Sequence, residues 1–191
     1  MDQFWAAVTG NYNKPEYHHK KCKKVAKEIF NSSADVQFLE KQLELRNCNF
    51  NRKLIKCQPC DFEMTGGFHP EKGIILCENG LDKGLVHDTI VHEMIHFFDN
   101  CVYEVEKWEN CYIHACSEIR AAQLSGDCRW YNEIRRGHYD FTNHKEECVK
   151  RRAILSLKAN PNCQENTEAI VESVYKQCSQ NYEPFEKYYS R

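Results

Sequence analysis

The chain has 191 residues, a formal charge of −2 and a pI near 6.5. That length can bury one sizeable core, and the charge gives no global pull toward nucleic acid or anionic lipid. Mean hydropathy is low at −0.73, yet aromatics supply 12% of the residues, which argues against a disordered chain; no apolar run approaches the roughly 18 residues needed to cross a bilayer.

In chain order, residues 1–15 read as a flexible N-terminal tail, with neither the apolar region of a secretory signal nor the arginines of a transit peptide. Phe4 and Trp5 within it could act as a shallow membrane anchor. Residues 16–47 carry helical patterning through Val25, Ile29, Phe38, Leu39, Leu43 and Leu45, and "NSSAD" marks a stop followed by a new cap. The basic run "HHKKCKK" (18–24) reads as a solvated helix face or as a contact for anionic lipid. From 51 to 77 the short β-prone runs "KLIK", "FEMTGGF" and "GIILC" are separated by Gly, Pro and Asn, with "HPEKG" as a hairpin connection. Gly66 and Gly67 suit either an ordinary hairpin or a strand that approaches an extended substrate closely. The remainder is helical, at about 85–107, 110–124, 129–137, 143–158 and 165–179, with Gly126 as a stop and Pro161 in a loop. "KRR" (150–152) reads as surface or membrane-facing. The order gives an α+β class, mostly helical with a small sheet ahead of the central helix, and a single domain over 16–191.

Twelve cysteines are spread from Cys22 to Cys178, with Cys57 and Cys60 forming the one C-x-x-C pair. Wide spacing without paired knuckles favours a disulfide framework over a zinc ribbon. An oxidising compartment reached without a secretory signal, such as the mitochondrial intermembrane space, reconciles these observations. A reduced nuclear or cytosolic protein using its cysteines for metal is the competing reading.

The chemistry-bearing stretch is "TIVHEMIHFFDN" (89–100), in which His92, Glu93 and His96 form H-E-x-x-H. On a helix, residues four apart lie about 40° apart around the axis, so both imidazoles can reach one ion. Glu93, about 100° from His92, can reach a water on that ion instead. Zinc suits two imidazoles, one further protein ligand and a water; such a water, activated and giving its proton to Glu93, can attack a peptide carbonyl. The bland alternative is a surface helix with two solvated histidines. The metzincin extension would need Gly at 99 and His at 102, where the chain has Asp99 and Val102. The third ligand falls on the next helix, where Glu118 is flanked by the small residues Ala115, Ala121 and Ala122 that allow close helix packing; His114 and Asp99 remain alternatives. Asp88 and Asp99 are expected to accept the outer N–H of a ligand histidine.

"HEMIHFFDNC", "HACSEIRAAQLSGDC", "ECVKRRAILSL" and "TGGFHPEKGIILCEN" together resemble the Atp23 family of mitochondrial inner membrane proteases, the zinc metallopeptidase family M76, from about Cys22 to Phe185. The resemblance implies a disulfide-stapled, zincin-like metalloendopeptidase with one zinc ion per chain. It implies a place in the intermembrane space, peripheral to the inner membrane, after import by oxidative disulfide formation. Its partners would be protein substrates, ATP synthase subunit 6 among them, which it would process and help assemble, with no direct binding of nucleic acid. Cys111 and Cys163 are expected to be the pair additional to the family's usual complement. The alternative function is a disulfide-rich assembly chaperone whose zinc is structural or dispensable.

Overall fold

The computed structural model describes residues 15–60, 64–79, 82–103, 108–139 and 142–186; residues 1–14 of the expected tail, with Phe4 and Trp5, lie outside them, and its last residue, Pro15, opens the first helix. Helices α1 (Pro15–Ser32) and α2 (Ala34–Leu45) are separated at Ser33, whose extended backbone and side chain cap α2 by accepting from Val36 N. The break expected at "NSSAD" is therefore a single N-cap residue. A short 3-10 turn (Arg52–Leu54) leads into β1 (Ile55–Gln58), followed by β2 (Gly66–His69) and β3 (Gly73–Cys77).

The sheet order is β1-β3-β2, with β1 parallel and β2 antiparallel to the central β3. "HPEKG" is the connection of the β2–β3 hairpin, as its turn residues suggested. β3 alternates to place Ile74 and Leu76 in the core. β1 is tied to α1 by the Cys22–Cys57 disulfide.

Asp82 caps α3 (Lys83–Val102) by accepting from Leu85 N at 3.0 Å. This helix is buried almost all round. Val91, Met94, Ile95 and Phe98 enter an apolar core shared with α1, α2 and β3, while Asp88, Glu93, His96 and Asp99 are buried polar groups. It ends at Val102, short of the expected 107; residues 104–107 are outside the described set.

Asn110 caps α4 (Cys111–Leu124), whose small side chains let it be buried on two sides. Ala121 and Leu124 join the core around α3, whereas Ala115, Ile119 and Ala122 join a second core with Val149, Ala153, Leu157 and Val171. After the α4 C-cap at Ser125 comes Gly126 at φ +91°, a left-handed position that only glycine adopts without strain. Then follow α5 (Trp130–Arg135), α6 (His144–Ala159) and α7 (Thr167–Cys178), all within a residue or two of the expected bounds.

All twelve cysteines are paired: Cys22–Cys57, Cys48–Cys101, Cys60–Cys77, Cys111–Cys163, Cys116–Cys178 and Cys128–Cys148. The disulfide framework is thus as the spacing suggested, and Cys111 and Cys163 are bonded to each other.

Candidate metal centre

His92 and His96 stand one turn apart on α3, their ring centroids 4.8 Å from each other. Glu118 of α4 meets both, with its Oε2 3.5 Å from His92 Nε2 and its Oε1 3.3 Å from His96 Nε2. One ligand atom from each of the three lies within 4.8 Å of the others, the one such grouping of metal-ligating side chains among the described residues. Tetrahedral ligands about 2 Å from an ion are spaced roughly 3.3 Å apart, so the set fits a small ion such as zinc.

The protonation pattern follows from the neighbours. Ser117 Oγ donates to Asp99 Oδ2 at 2.7 Å, so it must accept at 2.8 Å from His96 Nδ1, which therefore carries the proton. That leaves the Nε2 lone pair facing Glu118, as a metal ligand requires. Asp99 is held by Arg120, with Nε and Nη2 donating to it at 2.9–3.2 Å. Arg120 also donates to the carbonyls of Asn181 and Glu183, anchoring the C-terminal segment. Asp99 thus supports His96, but through a serine rather than by direct contact.

His114 is fixed the other way. Asn160 Oδ1 accepts from Asn162 N, and its Nδ2 donates to Trp108 O, which sets the orientation of the amide. The same Nδ2 gives its second hydrogen to His114 Nδ1 at 3.0 Å. The His114 proton then sits on Nε2, 3.4 Å from Glu118 Oε1, where it is a donor and has no lone pair for a metal. Ser156 Oγ donates to the same Oε1 at 2.6 Å. His114 and Ser156 therefore hold Glu118 in place. Burial opposes the Glu118 charge, but the neighbouring imidazoles of His96, His114 and His92 outweigh it and keep the carboxyl well below its ordinary range.

Glu93 shares the turn with His92 but not its direction. Burial pushes its carboxyl up to about 7, with His96 and Arg152 pulling down and Glu118 and Asp127 pushing up. β2 passes directly over this turn: a Cβ at Gly66 would lie 2.5 Å from Thr89 Cγ2 and 3.6 Å from Glu93 Oε1. Only glycine fits at Gly66, whereas a Cβ at Gly67 would meet only Met64 Cε at 4.0 Å. Trp108 closes another side, edge-on to both His96 and His114.

Asp88 departs from expectation. Although one turn before His92, it accepts from Asn132 Nδ2 at 2.9 Å and lies 3.5 Å from Arg129 and 3.1 Å from His87; the α5 region claims it. The "KRR" run is also not uniformly surface. Lys150 bridges Glu146 and Glu172 and Arg151 pairs with Glu133, but Arg152 donates to Asp127 at the site's edge. Arg152, Ser117, Ser156 and Asn160 escaped the sequence reading. The i, i+4 spacing of Arg152 and Ser156 on one helix was the available signal.

The chain belongs to the Peptidase M76 family, whose sequence profile matches residues 20–186. Its relatives include the mitochondrial inner membrane protease Atp23 of Schizosaccharomyces pombe, 49% identical over 174 residues that cover 89% of this chain and 94% of that protein. The proteins of the same name from Candida glabrata and Yarrowia lipolytica are each 39% identical, covering 93% and 88% of this chain and 84% and 68% of their own lengths. No solved structure matches the chain. No helix among the described residues is long and apolar enough to cross a membrane.

Proposed function

We propose that the protein is a zinc-dependent endopeptidase in which His92, His96 and Glu118 hold the metal and Glu93 is the general base. The observation that carries this reading is the convergence of two helix-borne imidazoles and a carboxylate from a different helix, beside a buried carboxyl tuned near neutrality. Zinc bound there would act as a Lewis acid on a water molecule and a peptide carbonyl. Glu93 accepts a proton from the attacking water on its carboxylate and delivers it to the leaving amide nitrogen. Burial of its carboxyl raises its basicity in the metal-free site, the direction a general base requires. His96 is kept in the correct tautomer by Ser117 and Asp99, and Glu118 is kept ionised by its donors.

The peptide lies extended beside β2, the edge strand that Gly66 lets pass close to Glu93, in a zincin-like arrangement. Residues 16–191 work as one domain. The relatives' names place them at the mitochondrial inner membrane, and the six disulfides suit the oxidising intermembrane space. There the protein would sit peripherally and act on membrane-associated substrates, ATP synthase subunit 6 being the one the family resemblance implies.

Glu93→Gln tests the reading. It should keep zinc and fold while lowering peptide cleavage by about 1,000-fold or more. Cleavage at the wild-type rate would exclude Glu93 as the base, and absence of cleavage by the wild-type protein would favour an assembly chaperone with a structural metal.

A further inference from the structure

Arg152 stands at the rim of the centre with most of its hydrogen-bonding capacity unfilled. It lies one turn before Ser156 on α6, so the helix face that delivers Ser156 to Glu118 also carries Arg152. Its Nε donates to Asp127 Oδ2 at 2.7 Å, and Asp127 is gripped from the other side by Arg136. Burial works against the Asp127 charge, but Arg152, His92 and Arg136 outweigh it and hold its pKa below the ordinary value. One edge of the guanidinium is therefore fixed against a permanent carboxylate. The N–H groups on Nη1 and Nη2 have no acceptor among the described residues, and the side chain is 33% exposed. Its neighbours in the run differ, since Lys150 and Arg151 are both paired with carboxylates away from the metal ligands.

We propose that Arg152 is a substrate-binding residue whose Nη groups hold a backbone carbonyl oxygen of the peptide lying across Glu93, with Asp127 setting the direction of the guanidinium. This rests on the peptidase reading above. Asp127 already supplies the counter-charge, so the free edge suits a neutral oxygen better than a carboxylate. A planar fork can bond Asp127 along one edge and a carbonyl along another, which the point charge of a lysine cannot do. A donor of this kind also strengthens as the carbonyl oxygen gains negative charge during attack.

The test uses the full-length zinc-loaded protein and short fluorescent peptides with acetylated N-termini and amidated C-termini. In a Glu93→Gln background, where peptide can bind without being cleaved, adding Arg152→Gln should weaken binding roughly tenfold by fluorescence anisotropy. In the active protein the same change should lower kcat/KM by about 100-fold, with kcat falling as well as KM rising. Arg152→Lys should recover little of either, and zinc content and Tm should stay at wild-type values in both variants. Unchanged peptide affinity and kcat/KM in Arg152→Gln would overturn the proposal, as would a loss that tracks loss of zinc. A loss confined to peptides with acidic side chains would also overturn it, by making a carboxylate the ligand. If the wild-type protein cleaves nothing, the peptidase reading fails by itself, while the anisotropy measurement still decides whether Arg152 holds peptide.

Discussion

Residues 15–103 and residues 108–186 are built differently and joined differently. The first half packs α1, α2 and the sheet around α3 in the larger apolar core, stapled by Cys22–Cys57, Cys48–Cys101 and Cys60–Cys77. The second packs α4, α6 and α7 in a smaller core, stapled by Cys111–Cys163, Cys116–Cys178 and Cys128–Cys148. None of the six disulfides crosses from one half to the other. Among the contacts that cross are α4, through Ala121 and Leu124, the Phe185 side chain, Trp108 against His96 and Phe68, and a set of directional polar contacts that includes Asp99 with Arg120, His96 with Ser117, and Asp88 with Asn132. The candidate centre lies on this seam, with His92, Glu93 and His96 from one side and Glu118 from the other. Covalent staples lie within each half, while noncovalent contacts across the seam bring His92, His96 and Glu118 together.

The largest expected effect comes from breaking the seam at its buried ion pair. Asp99→Ala leaves Arg120, which is 2% exposed, without its carboxylate and should cost about 3–5 kcal/mol of stability. It should also weaken metal binding, because Ser117 loses the acceptor that orients it toward His96. Denaturant unfolding and a metal titration on the same sample would check both.

Opening one staple in each half sharpens the comparison. Replacing Cys116 and Cys178 by alanine, or Cys22 and Cys57, should cost a comparable amount in each case, about 4 kcal/mol. The first pair fixes α4 next to Ser117 and Glu118, so only its loss should reduce metal affinity strongly. Equal losses of affinity from the two pairs would mean that the seam is not where the site is set.

Glu93 provides a pH signature. In the metal-stripped protein its folded pKa is about 7 against an unfolded value of 4.5. Below pH 4.5 both states hold the proton. Between 4.5 and 7 the unfolded chain releases it first, so stability falls across that window and levels off above it. Glu93→Gln removes this loss and should raise stability by about 3 kcal/mol at pH 8 relative to its effect at pH 4. Parallel stability curves for the two proteins would mean that the carboxyl is not desolvated.

The same division explains what could be read from the sequence. His92, Glu93 and His96 were legible because a single helical turn fixes their relation, and helix boundaries were legible from Ser33, Gly126 and the other local punctuation. Glu118 was reachable because the alanines around it announce a helix that packs closely. Arg152 and Ser156 were not legible, because their role depends on how α6 packs against α4, and a run of three cations looks the same whether or not its last member turns inward. Asp88 was misread for a similar reason: its partner was chosen by the loop that brings Asn132 and Arg129 to it, not by its place one turn before His92. The disulfide framework was legible as a whole, but its division into two sets of three depends on the fold.

On the proposed reading, one metal ion would be held jointly by the two halves. Zinc stoichiometry by elemental analysis of the wild-type protein, Glu118→Ala and His114→Ala tests it most directly. About one zinc per chain is expected in the wild type, loss of most of it in Glu118→Ala, and near-complete retention with weakened affinity in His114→Ala. Full zinc retention in Glu118→Ala, or its loss in His114→Ala alone, would rule out Glu118 as the third ligand.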